Sequence, residues 1–300
     1  MKKDILDFKS MNYLEFTDRF KTDQDCSDYL WQLKWGNGYT CERCGSTEQY
    51  KGHNASYIRC KSCGHDASPT SNTIFHKLKF SLLKSFHICY RVSVHKKGVS
   101  STSLSDELGL RQKTCWAFKR KIQEAMKSSG SAPLTGDVDV DECAIGGKDT
   151  GSQGRNKGDK KLFSIAVEIL GEGKMGRAYG VGIVDYSAKE LEKIFDKHIS
   201  IGAAITTDGW TGYMPLQNKW NIQQVYSSEG ANFPEIHILI MNLKNWLRGI
   251  HHKCSEEHIM GYIDEFFYRF NRRNNRKSIF SMLIKRMMKH PQFTHKEFSN

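Results

Sequence analysis

Two aspartates, an asparagine and four cysteines are the residues whose types and spacing could do chemistry in this 300-residue chain. Asp141 and Asp208 each end a run of β-branched residues. Strand alternation puts Asp137, Asp139 and Asp141 on one face, where three carboxylates repel unless a cation or solvent offsets them. Asp208 is followed directly by Gly209, the form of a strand leaving into a functional loop. Taken singly, either aspartate also fits an ordinary solvated strand end. Asn242, on a following helix, offers an amide oxygen that can ligate a hard cation but cannot act as a base. Together the three look like a metal site. The cysteines form two C-x-x-C pairs, Cys41 with Cys44 and Cys60 with Cys63, fifteen residues apart. That spacing predicts a four-thiolate structural zinc site, and Gly45 and Gly64 behind the pairs suit tight knuckles. The other cysteines, Cys26, Cys89, Cys115, Cys143 and Cys254, read as small buried apolar residues.

The elements that must position these residues fall into segments. Residues 1–78 read as amphipathic helices followed by the zinc ribbon. Residues 79–128 are helical, and Leu108-Gly109-Leu110 marks a sharp turn between two short helices in the manner of a helix-turn-helix. The second helix carries Arg111, Lys113, Lys119 and Arg120, which read as DNA contacts or as a solvated basic face. Residues 129–136 read as a linker. From residue 137 to about 290 the pattern is a mixed α/β core. Its strands are expected over Val138 to Ile145, Leu162 to Leu170, Arg177 to Val184, Ala203 to Thr207 and Ile222 to Tyr226, with a helix over Ser187 to His198 and helices from Pro234 onward.

Residues 137 to 273 also carry an ordered series of motifs: Asp141-Glu142 before Ile145-Gly146-Gly147-Lys148, Arg155, Thr207-Asp208-Gly209-Trp210 with Gly212-Tyr213, His237 leading into Asn242, and a run from Asp264 to Arg273. This series, with a zinc ribbon upstream, resembles the transposases of bacterial insertion sequences in the group related to Merlin-type DNA transposons. The resemblance implies a ribonuclease H-like fold and end cleavage and strand transfer by two-metal phosphoryl transfer. It assigns binding of Mg²⁺ or Mn²⁺ and catalysis to Asp141, Asp208 and Asn242, with asparagine where many relatives have glutamate. Lys148, Arg155, Lys244, Arg272 and Arg273 are the phosphate contacts it implies. The expected partners are double-stranded DNA at the element's terminal inverted repeats and at the target, with a homodimer or larger assembly on DNA.

Composition agrees with a polyanionic partner. Forty-five Lys and Arg against thirty-three Asp and Glu leave a net charge of +12, which favours nucleic acid. The sequence has no apolar run of membrane-spanning length and no secretory leader at Met1, so a cytoplasmic, nucleoid-associated protein is expected. Two other readings share these features: a catalytically silent or domesticated DNA-binding regulator, and a nuclease that cuts without joining.

Overall fold

The computed structural model describes residues 11–52, 56–146, 160–171, 173–226, 228, 232–251, 254–276 and 278–293. Two compact units emerge, Met1–Met126 with Asn274–Asn300, and Lys127–Arg273.

The first unit opens with helices α1 (Tyr13–Arg19) and α2 (Asp23–Trp35), each started by a reciprocal capping box, Asn12 with Glu15 and Thr22 with Asp25. These boxes satisfy amide groups that a helix start leaves without partners. A small antiparallel sheet follows, β1 (Gln49–Lys51), β2 (Ile58–Cys60) and β3 (Asp66–Ala67). Then come α3 (Leu82–Val94), α4 (Ser101–Leu108) and α5 (Gln112–Met126). Gly109 caps α4 at φ +58°, a left-handed conformation that glycine adopts without a Cβ penalty.

The second unit is built on five strands: β4 (Asp137–Ile145), β5 (Lys161–Ile169), β6 (Met175–Ile183), β7 (Ala204–Thr207) and β8 (Ile222–Gln224). Their order is β6-β5-β4-β7-β8. The first three are antiparallel and β4, β7 and β8 are parallel. This is the expected ribonuclease H-like mixed sheet. Helix α6 (Ala188–His198) and a 3-10 helix (Thr211–Asn218) pack on one face with Val138, Val140 and Ile205. Helices α7 (Pro234–Ile250) and α8 (Glu256–Phe270) cover the other, with Cys143 and Ile145. Flanking helices on both faces explain why β5 reads as a near-continuous apolar run, whereas β4, equally flanked, alternates because Asp137, Asp139 and Asp141 stand on one of its faces.

Two segments differ from expectation. The presumed linker is stitched to the sheet: Leu134 is fully buried and bridges Ile199, and Arg177 donates to the carbonyls of Ala132 and Pro133 at 3.0 and 2.9 Å. The core also ends before residue 290. Helix α9 (Ile279–Lys289) belongs to the first unit, where Phe280 meets Phe16, Phe20, Phe86 and Tyr90 edge-on or tilted. Its Met287 carbonyl accepts from the Ile74 amide at 3.2 Å, and its thioether lies 3.6 Å from the Cys89 thiol. An apolar stripe of Ile279, Phe280, Leu283, Ile284 and Met287 drives this placement.

Candidate active site

The acid-and-valine alternation of β4 sorts as the strand pleat requires. Val138 and Val140 enter the core under α6, and Asp137, Asp139 and Asp141 face α7. The Asp139 carboxyl is pushed up to about 6, first by burial and then by Glu235, Asp137 and Asp141. Parallel pairing of β4 with β7 runs to Val140 opposite Thr207. One residue further along each strand stand Asp141 and Asp208, on neighbouring backbones about 4.8 Å apart. Because Ile205 points into the α6-side core, alternation turns Asp208 to the face of Asp141.

The loop holding Asp208 is closely tied. Asp208 accepts from the Trp210 amide at 3.1 Å, and Gln224 of β8 donates to the carbonyls of Asp208 and Trp210 at 3.1 and 2.7 Å. The Trp210 indole donates to the Tyr186 carbonyl at 2.9 Å. Gly212 is required beneath it, since a Cβ there would stand 2.5 Å from the indole nitrogen and 2.6 Å from the Tyr186 oxygen. Tyr213 is fully buried and donates to the Glu142 carboxylate, while burial and that carboxylate hold its own pKa far above the usual phenol value.

Helix α7 supplies His237, whose Nε2 lies 3.2 Å from Asp141 Oδ2. At 100° per residue, Asn242 stands about 140° farther round the helix, and it is exposed. Lys244 lies only about 20° from the His237 line and acts on buried Cys143; burial pushes that thiol up to about 12, and the Lys244 charge opposes the shift. The α7 residue brought to Asp141 is therefore His237. Its spacing of seven from Lys244 was the available sequence signal.

Expected DNA contacts divide in the same way. Arg111 and Lys113 are exposed at the start of α5. Lys119 is only 3 % exposed and its ammonium donates to the Val99 carbonyl at 2.8 Å, so it is a core residue. Arg120 is half-buried against Gln123. Arg272 lies over the Tyr268 ring at 3.8 Å, and Arg273 over Phe270 at 4.0 Å while donating to the Gly176 and Met175 carbonyls. Arg273 thus fastens the end of α8 to β6, whereas Arg272 also donates to the Tyr268 carbonyl of its own helix. Lys148 and Arg155 lie outside the described residues.

The four ribbon cysteines bring their sulfurs within 4.8 Å of one another, with Cys41 to Cys63 at 3.7 Å and Cys44 to Cys60 at 3.5 Å. A zinc tetrahedron with bonds of 2.3 Å needs sulfurs about 3.8 Å apart. The donor set and its spacing fit zinc. Among the described residues it is the one group of three or more Cys, His, Asp or Glu ligand atoms drawn so close.

Residues 133–271 match the family model of the ISXO2-like transposase domain, and residues 21–66 match that of the transposase zinc-ribbon domain. Both models describe domains of transposases. No curated protein matches the chain. The transposase domain spans the sheet, both carboxylates and α7, and the ribbon domain contains all four thiolates. Among the described residues, no helix is long and apolar enough to cross a membrane.

Proposed function

We propose that the chain binds the terminal inverted repeats of its element as a dimer or larger assembly and catalyses end cleavage and strand transfer at Asp141, Asp208 and His237. The observation that carries this reading is the parallel register of β4 and β7, which sets the two carboxylates side by side, with His237 of α7 on Asp141. Two carboxylates and an imidazole on one face are a donor set suited to divalent cations. When bound, Mg²⁺ or Mn²⁺ would supply Lewis acidity to the phosphoryl oxygens. Asp141 and Asp208 would supply the charge that retains the ions, and the Asx-type turn at Trp210 with the Gln224 bonds keeps Asp208 from swinging away. His237 is 42 % exposed, so this face is open to a DNA backbone. Exposed Arg111 and Lys113 lead the α4–α5 pair onto DNA, as the first turn of a recognition helix does.

In this reading His237, in place of Asn242, completes the donor set. A nitrogen donor favours Mn²⁺ over the harder Mg²⁺, so wild type is expected to join labelled element ends faster in Mn²⁺. The decisive assay is strand transfer with the gene's own flanking DNA. Asp208→Ala is expected to bind the ends and give no joined product; His237→Ala is expected to lose at least about a hundred-fold, and Asn242→Ala to stay near wild type. Strong loss in Asn242→Ala with full activity in His237→Ala would return the third position to Asn242. Replacement of a third carboxylate by a neutral side chain favours one other reading, a silent DNA-binding regulator. End binding by wild type without product in either metal would identify it.

A further inference from the structure

The two carboxylates come from separate stretches of chain, so their spacing depends on what joins those stretches beyond the last paired residues, Val140 and Thr207. On the opposite face of the sheet, Tyr213 lies five residues after Asp208 and is fully buried beside Phe195, with ring centroids 6.1 Å apart. Its hydroxyl donates to Glu142 Oε1. The amide of that same Glu142 donates to Asp141 Oδ1 at 2.8 Å. One residue thus receives the Asp208 loop through its side chain and orients Asp141 through its backbone. We propose that Tyr213 and Glu142 form a brace that locks the Asp208 loop to the end of β4 and sets the spacing of the two carboxylates for their cations. This rests on the reading of Asp141 and Asp208 as metal ligands. Tyr213 and Glu142 are positioning residues: they face away from the substrate side and act through the aspartates.

The brace differs from ordinary core packing in what its loss would change. Removing the Tyr213 hydroxyl leaves the ring and its burial intact but frees the loop to shift against the strand, and carboxylates placed wrongly by a fraction of an ångström bind metal less tightly. Partners that orient metal ligands in this way commonly account for about ten-fold or more in metal affinity.

The test is Mn²⁺ binding to the full-length, zinc-loaded protein, read by electron paramagnetic resonance without DNA or turnover. Tyr213→Phe is expected to weaken binding about ten-fold with zinc content and melting temperature kept. Glu142→Gln, whose amide oxygen still accepts from Tyr213, is expected to stay near wild type, whereas Glu142→Ala loses affinity. The double variant Tyr213→Phe/Glu142→Ala is expected to be no weaker than Glu142→Ala alone, the non-additivity of one shared contact. Wild-type affinity in Tyr213→Phe, or equal loss in Glu142→Gln and Glu142→Ala, overturns the brace. Unchanged Mn²⁺ binding in Asp208→Ala would instead remove the metal site itself, and the brace with it.

Discussion

His198 shows how far a single side chain's chemistry can depart from what its type alone suggests. It is 2 % exposed at the end of α6 and stacks on Tyr179 with ring centroids 4.2 Å apart. Burial, and secondarily Lys197, lowers its pKa to about 4. The unfolded chain therefore takes up this proton first, near pH 6.5, and the fold loses stability as pH falls from there toward 4. Between pH 7 and 5 the loss from this residue is expected to be about 1–2 kcal/mol. Urea midpoints at the two pH values, compared between wild type and His198→Phe, measure it; the variant should show a smaller drop. Nothing in the sequence marks His198 as buried except its place four residues after Ile194 on the apolar stripe of α6. The strands that carry or lead into Asp141 and Asp208 were legible from their β-branched runs. At the third position, chemical type favours Asn242 and helical angle favours His237, so the two kinds of reading point to different residues.

Helix α5 carries the same lesson at the scale of an element. The turn at Gly109 was legible, because only glycine enters that conformation cheaply. The basic residues beyond it were not equivalent, and the period says why: Lys119 falls four residues after Cys115 and three before Ile122, inside the buried stripe. Arg111→Ala/Lys113→Ala is expected to weaken binding to duplex ends and to lower the salt dependence by about two phosphate contacts. Lys119→Met should leave that slope unchanged. Fluorescence anisotropy across a salt series separates the two. Another buried pairing holds β5 to β6: Glu168 accepts from the Arg177 side chain at 2.7 Å and from the Thr135 amide at 3.1 Å. Arg177→Ala is expected to destabilise the second unit by about 2 kcal/mol, because it strands a mostly buried carboxylate; chemical denaturation reads this directly.

On the scale of the whole molecule, the zinc ribbon and the mixed sheet could be read from spacing and pattern, whereas the allegiance of α9 could not. An amphipathic helix following a helical core continues that core by default, and only the three-dimensional shape of the aromatic cluster around Phe16 and Phe86 assigns it elsewhere. Chelating the ribbon's zinc is expected to unfold the segment around Trp35 and Tyr39, since its core of Trp35, Tyr39, Cys41, Ile58, Cys60 and Ala67 is too small to persist alone. Loss of tryptophan emission structure on adding a strong chelator, restored by zinc alone, checks this. A chain ending at Arg273 keeps the entire second unit but lacks Phe280 and Met287, so its first unit is expected to expose apolar surface and bind a hydrophobic dye.

That last arrangement has a bearing on synthesis. The first unit takes residues from before the second unit and its closing helix from after it, so the whole second unit is translated in between. While the chain is still on the ribosome, α1 to α5 wait without α9, so the α4–α5 pair gains a finished framework only after translation has passed residue 289. A chain interrupted before that point would present α4 and α5 without the helix that completes their unit.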